Sequence, residues 1–525
     1  MLDNNKTKDA NILWVDDEID LLKIHILFLE EKGYNVVTSN NGLEAIELVK
    51  LQNFDVIFLD ENMPGMNGLE VLSKIKELNP NIPIVMVTKN EEEDIMDEAI
   101  GSKIADYLIK PVNPKQILLA IKKNTENKRL INEKTTSKYQ NEFVKLGIQI
   151  NETRTFEDWI EVYKKLVYWE LELAKSQDNT MDEVLALQKY EANGSFAKFI
   201  KQNYLGWFKK SEEERPKFQT DLFKKNVFPL LDNGDKVMLI VIDNLRFDQW
   251  KTLQPIIREY LNLEKEEVMC SILPTATQYA RNAMFSGLMP AQIEQMFPNL
   301  WSYDDEEGGK NEHEEELLAT LFERYRRKVD FHFEKVFQNR QGQKILDNFK
   351  NISNNQLIVI VYNFVDMLSH ARTEMQMIRE LAQDEAAYRS LTLTWFEHSA
   401  LLDLIKEISN QKFKVIITTD HGAVRIQEPI KVIGDRFTTT NLRYKQGKNL
   451  NYNPKEVFEI TKPELAGLPS SNLSSTYIFT TNKDFFAYPN NYNHYVKYYK
   501  DTFQHGGISL EEMLIPILTF STKKQ

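Results

Sequence analysis

Between residues 10 and 124, short apolar runs rich in β-branched residues alternate with longer stretches whose apolar positions recur every three or four residues. The first pattern predicts buried strands and the second amphipathic helices, so their alternation predicts βαβ units around a parallel sheet. Strands are expected at Ile12–Val15, Asn35–Thr38, Val56–Leu59, Ile84–Thr88 and Tyr107–Ile109. Helices are expected at Ile19–Lys32, Gly42–Leu51, Gly68–Leu78, Glu92–Ile100 and Lys115–Lys123. Residues 125 to 232 carry almost no strand signal, and Ile160, Tyr163 and Val167 recur at helical spacing beside Trp159, Val162 and Leu166. This predicts a helical bundle with an aromatic core stripe. From residue 233 a second α/β pattern is built on Val237–Ile242, Leu357–Tyr362 and Val415–Thr419, with Met513–Phe520 able to return to the sheet. The acidic segment Asp304–Glu316 within it reads as a solvated face without a catalytic role. The expectation is an α/β multidomain chain: a five-stranded domain at 1–124, a helical domain at 125–232 and a larger α/β domain at 233–525.

Composition narrows the functions open to such a chain. Its 525 residues exceed what one core organises. No apolar run is long enough to span a bilayer, and the start MLDNNKTKDANILWVDD has no secretory pattern, so cytoplasmic residence without membrane insertion is expected. The single cysteine, Cys270, excludes an internal disulfide framework and four-cysteine zinc sites; any zinc must use histidine and carboxylate. A net charge of −13, with no basic recognition helix, argues against duplex DNA as a partner.

The first candidate site follows from where parallel sheets place ligands, at the carboxyl ends of their strands. Asp16 and Asp17, Asp60, Thr88 and Lys110 follow or end four of the predicted strands. Clustered carboxylates need a cation, and an oxygen-only set suits Mg²⁺. With charge shared by the metal and Lys110, Asp60 can attack a phosphoryl group while Thr88 bonds the new phosphate. These residues, with Asp60-Glu-Asn-Met-Pro-Gly-Met-Asn-Gly68 and Lys110-Pro111, resemble the receiver domain of response regulators, which is flavodoxin-like. The resemblance implies that Asp60 is the phosphoacceptor, that Asp16, Asp17 and Asp60 with the Glu61 main chain carry Mg²⁺, that Tyr107 is the switch aromatic, and that a sensor histidine kinase is the partner. Lys89 stands where a small residue is common.

The second candidate site is spread more widely. Asp243 ends the Val237–Ile242 run; Asp366 and His370 lie four residues apart after Leu357–Tyr362; Asp420 and His421 follow Val415–Thr419; His505 precedes two glycines. Between the first two lies Leu273-Pro-Thr-Ala-Thr277-Gln-Tyr-Ala-Arg281-Asn282, where Thr275 or Thr277 can be a nucleophile or simply an N-cap. Three Asp and three His suit two zinc ions about 4 Å apart. The set resembles the alkaline-phosphatase superfamily and, within it, the PglZ branch. That resemblance implies Asp243, Thr277, Asp420 and His421 around one zinc and Asp366, His370 and His505 around the other, with Thr277 the nucleophile ahead of Thr275. Arg246, Arg281 and Asn282 are weaker candidates for substrate contact.

The order receiver, helical middle, PglZ-like domain resembles PorX-type response regulators of type IX secretion in Bacteroidetes. The resemblance implies a zinc phosphodiesterase acting on oligonucleotides, cyclic ones included, phosphorylation-promoted dimerisation, and contact with a sigma factor or secretion components. Arg436, Arg443, Lys445 and Lys448 with Tyr492, Tyr495, Tyr498 and Tyr499 form a compatible base-binding pattern, equally readable as packing or a lid. The competing function is a phosphorylation-controlled binding scaffold with structural zinc.

Overall fold

The computed structural model describes residues 10–80, 82–89, 104–176, 181–303, 309–382, 384–434, 438–470 and 475–523, side chains apart at 125–134 and a few other helical positions. The expected helix Glu92–Ile100 and Arg436 lie outside the described residues. Contacts divide the chain into two units, residues 1–140 with 176–178, and residues 141–175 with 179–525.

In the first unit, β1 (Asn11–Val15), β2 (Asn35–Ser39), β3 (Val56–Asp60), β4 (Ile84–Thr88) and β5 (Asp106–Ile109) form one parallel sheet in the order 2-1-3-4-5. Both faces of the central strands are covered. Leu13, Ile57 and Leu59 pack with Val71 and Leu72 on one side, while Ile12, Trp14 and Phe58 pack with Ile117 and Ile121 on the other. The helices at Gly42–Leu51 and Gly68–Leu78 stand at the expected residues, each opened by an asparagine cap. The Ile19–Lys32 segment opens as a 3-10 turn, Ile19–Leu22, before its α-helix Lys23–Glu31. The last helix does not stop at Lys123: it runs Pro114–Glu152 and carries the chain across the unit boundary. Proline at its start suits a first turn, and no second proline or glycine interrupts it before Gly147.

In the second unit, helices Phe156–Ser176 and Asp182–Trp207 bury the aromatic stripe, with Trp159 edge-on to Phe196. The sheet has six strands in the spatial order Leu261–Cys270, Leu514–Thr522, Lys414–Thr418, Val237–Ile242, Leu357–Tyr362, Phe331–Val336. The last four are mutually parallel, and Leu514–Thr522 inserts antiparallel between Lys414–Thr418 and Leu261–Cys270. Every side chain of Val237–Ile242 and Leu357–Tyr362 is buried; at about 1.5–3 kcal/mol for each fully buried large apolar side chain, these two strands anchor the edge from which the ligands project. Among the described residues no helix is long and apolar enough to cross a membrane.

Candidate functional site

In the first unit, Asp16, Asp17 and Asp60 converge with carboxylate oxygens within 4.8 Å of one another. Lys110 reaches Asp16 and Asp60, each at 2.8 Å. Burial pushes the Asp60 carboxyl above its ordinary pKa, with Asp16 adding to the rise against the opposing Lys110 hydrogen bond. Burial alone would lower Lys110, yet its bonds to the two aspartates carry it above the usual lysine range. Tyr107 is partly exposed and Lys89 pairs with Glu18 at 3.5 Å. Glu61 directly follows Asp60 at the end of its strand. Its N–H donates to Val87, its carbonyl accepts from Gly68 at 2.8 Å, and its carboxylate takes the Thr88 hydroxyl. Its main chain is thus tied into the strand end and the following helix. Thr88 can turn to a phosphate only by releasing Glu61.

The second unit brings six of its seven expected metal ligands, all but Thr277, into two adjoining groups. Asp243, Asp420 and His421 form one and Asp366, His370 and His505 the other, each with ligand atoms within 4.8 Å. Three parallel strands deliver five of them. Asp243 extends the Val237–Ile242 ladder, its N–H on Tyr362 O; Asp420 and His421 follow Lys414–Thr418; Asp366 and His370 share the helix Phe364–Glu374. Gly422 lets the chain leave the Asp420-His421 corner: a Cβ there would lie 2.1 Å from the Glu511 carbonyl. Gly506, at φ +120°, does the same after His505.

The first group is fully buried, and its polar atoms fit a cation. Asp243 Oδ2 accepts from Arg281 (2.6 Å) and Asn363 (3.0 Å), while Asp243 Oδ1 and Asp420 Oδ2 are buried without hydrogen-bond partners and stand 3.8 and 3.7 Å from His421 Nε2. Burial, then Asp420, pushes Asp243 up to about 7. Burial raises Asp420 and Asp366 and lowers His421, whose Nδ1 lies 3.2 Å from Gly422 O. With the proton on that Nδ1, Nε2 keeps its lone pair for a metal. In the second group His505 repeats the device, with Nδ1 3.1 Å from Thr275 O and Nε2 3.6 Å from Asp366; burial holds it well below the ordinary histidine pKa. His370 is the solvent-facing member, its Nε2 3.4 Å from Asp366. The His421 and His505 rings stack at 4.2 Å, joining the groups.

The two threonines separate. Thr275 is fully buried; its hydroxyl donates to Gly507 O (2.9 Å) and accepts from Gly506 N (3.0 Å), so it ties down the His505 loop. Thr277 opens the helix Thr277–Ser286 and places its Oγ1 3.1 Å from His421 Nε2.

The three candidate substrate contacts are each held by partners within the protein. Arg246, 1% exposed, is enclosed by Asp248 (2.9 Å) and Glu385 (2.5 Å). Arg281 is divided between Asp243 and Glu314, and Asn282 between Lys310 O and Asn311. Asn244 was not anticipated. At φ 65°, it turns the chain after Asp243, donates its N–H to Asp420 (3.3 Å) and its amide to Asp366 (3.2 Å), and so spans both groups. An asparagine directly after a strand-end aspartate was the only trace of this in the sequence.

Family models match the chain in series: a response regulator receiver domain over residues 12–122, a PorX response regulator linker domain over 129–208, and a BREX system PglZ alkaline phosphatase-like domain over 222–520. The chain belongs to the PglZ family, in the PorX-type arrangement. It is thus a two-component response regulator with a phosphatase-like output domain. Curated relatives of this PorX-type chain include the transcriptional regulatory protein ZraR of Klebsiella oxytoca, 35% identical over 140 residues (27% of this chain, 32% of the relative). Another is ResD of Bacillus subtilis, 31% identical over 190 residues (35% and 79%). The chain spans about a third of the length of the first curated relatives it matches. Chemotaxis protein CheY4 of Vibrio cholerae is 31% identical, covering 22% of this chain and 98% of its own, at a TM-score of 0.21.

Proposed function

We propose that the PglZ domain is a two-zinc phosphodiesterase under the control of phosphorylation at Asp60, with Thr277 as its nucleophile. The observation that carries this reading is the convergence of two unpartnered buried carboxylate oxygens, Asp243 Oδ1 and Asp420 Oδ2, on His421 Nε2, with the Thr277 hydroxyl 3.1 Å from the same nitrogen. Asp243, Asp420 and His421 would hold one zinc beside Thr277, and Asp366, His370 and His505 the other. The metals would supply Lewis acidity, lowering the pKa of the threonine hydroxyl and offsetting charge on the leaving oxygen.

The chain's own residues do the rest. Thr277 Oγ1 attacks phosphorus, the bond to the leaving alcohol breaks, and water later cleaves the phosphothreonine. Thr275 and Asn244 keep the ligand loops in register, and burial keeps both inner histidines neutral, as ligands must be. The exposed His370 marks the side from which substrate enters. Oligonucleotides, cyclic ones included, are the substrates that the PorX-type arrangement suggests, with a role in type IX secretion and contacts to a sigma factor or secretion components. In the receiver, Asp60 takes a phosphoryl group from a sensor kinase's phosphohistidine: its carboxylate oxygen bonds phosphorus as the P–N bond breaks. Mg²⁺ on Asp16, Asp17 and Asp60 would balance the added charge.

The test is hydrolysis of bis(p-nitrophenyl) phosphate by zinc-loaded wild type and Thr277→Ala, with bound zinc counted. Turnover by the wild type and its loss in the variant at unchanged zinc supports the reading. A wild type with two zincs that is inert toward this ester and oligonucleotides alike sinks it, and leaves a binding scaffold.

A further inference from the structure

Glu314 begins the helix Glu314–Arg324 at the end of the acidic segment that reads as solvated, yet its side chain is fully buried. Its two oxygens face two different cations: Oε1 accepts from Arg281 Nε at 2.5 Å, and Oε2 forms an ion pair with Lys335 Nζ at 2.9 Å. Arg281 uses its other edge on Asp243 Oδ2 at 2.6 Å, the oxygen that faces away from His421. Lys335, at the carboxyl end of the Phe331–Val336 strand, donates to the carbonyl of Asn311. The Asn311 amide in turn donates to the main-chain carbonyl of Thr277 and to Asn282 Oδ1, each at 3.1 Å. The path Asp243–Arg281–Glu314–Lys335–Asn311–Thr277 thus leads from a candidate metal ligand to the candidate nucleophile, through a single buried carboxylate.

We infer that Glu314 is a positioning residue that fixes the Asp243 carboxylate and the Thr277 backbone against one another. This inference rests on the zinc-hydrolase reading. One arm runs through Arg281 and sets which Asp243 oxygen is free for a metal; the other runs through Lys335 and Asn311 and sets where the helix that opens with Thr277 begins. Arg281 cannot do this alone: without Glu314, its guanidinium has one anchor and swings with the aspartate it should hold. Supporting contacts of this kind around a metal ligand change affinity or rate by about 10- to 100-fold when removed.

The arms make separate predictions for the full-length protein, with zinc affinity read by chelator competition and turnover on bis(p-nitrophenyl) phosphate. Glu314→Gln is expected to weaken one of the two zinc sites by about tenfold or more, leave the other within about twofold, and lower kcat with KM nearly unchanged. Lys335→Met, which keeps the Arg281 arm, is expected to lower kcat while both zinc sites hold. Because the two variants act on one path, the double variant should cost kcat little more than Glu314→Gln alone. Glu316→Gln, at an exposed position on the same helix, is the control and should change nothing. Two zinc sites and a kcat both unmoved in Glu314→Gln overturn the inference, as do equal losses at both sites. A wild type that binds no zinc fails at the level of the metal reading, and one that binds two but never turns over fails at the level of the enzyme, where the affinity arm still decides the role of Glu314.

Discussion

Asp243 shows what a single carboxylate carries in this site. With Arg281 and Asn363 on one oxygen and nothing on the other, it is pushed up to about 7 in the protein without metal, by burial first and Asp420 second. A folded-state pKa above the unfolded carboxyl value of about 4 contributes stability that is present below about pH 4 and lost as pH rises through about 7. Chelator-stripped wild type should therefore lose stability relative to Asp243→Asn between pH 5 and 8, read as urea midpoints. Zinc bound there should reverse the trend, since it would displace the proton, so zinc affinity should climb over the same window. Parallel pH curves for the two stripped proteins would refute the assignment. The residues that cluster in the candidate site were legible because their motifs are short: Asp420-His421-Gly422 and Asp366 with His370 announce themselves in a few letters. Those that hold them were not, because Asn244, Asn363 and Glu314 reach partners 176, 120 and 33 residues away. Burial alone distinguishes Glu314 from its exposed acidic neighbours.

At the scale of elements, the helices Phe156–Ser176 and Asp182–Trp207 are tied to the loops that carry the site. Tyr204 accepts the Leu273 N–H at 2.7 Å, just before the threonine loop; Asn193 bonds both Leu510 N and Glu511 beyond His505. Lys189, Glu170, Arg389 and Asp248 form a buried ion chain that ends on Arg246, three residues past Asp243. Glu170 would be raised by burial, but Lys189 and Arg389 hold it below the usual range. Glu170→Gln should cost about 1–3 kcal/mol of stability, because it removes the carboxylate that Lys189 and Arg389 share and leaves them to Glu511 and Asp248, and a chemical-denaturation midpoint within error of the wild type would show the chain to be idle. The sequence read the four interior strands of the large sheet correctly and missed Leu261–Cys270 and Phe331–Val336. These two are its edges. An edge strand with one face in water carries glutamates and lysines in place of a continuous apolar run, and the burial along Leu261–Cys270 reflects that. The fifth receiver helix was cut short in the sequence reading for the opposite reason: a polar, lysine-rich helix loses its periodic signal long before it loses its hydrogen bonds.

For the whole molecule, Asp60 and the candidate metal ligands lie in different units, so control of one by the other needs a change that the chain transmits or that a second copy supplies. Receivers signal through their last strands and helix, and a phosphorylation-promoted dimer is the expected form. Acetyl phosphate with Mg²⁺ should label the wild type and shift it to earlier elution on size exclusion. Asp60→Asn and magnesium-stripped wild type should remain unlabelled and unshifted, and an unshifted labelled wild type would refute the dimer. Thr88, bonded to Glu61, is the group whose rearrangement should accompany the label.

The antiparallel strand Leu514–Thr522 lies between partners made far earlier, Lys414–Thr418 on one flank and Leu261–Cys270 on the other. During synthesis the ribosome releases it after every other strand of its sheet, so until then the nascent chain has a split sheet with two open edges and an incomplete floor beneath the ligand loops. Translation halted beyond His505 but short of this strand would yield a chain holding every candidate catalytic residue, yet prone to aggregation and proteolysis. A phosphatase-like domain assembled this way is not complete until its own regulatory unit has been made and its last strand delivered.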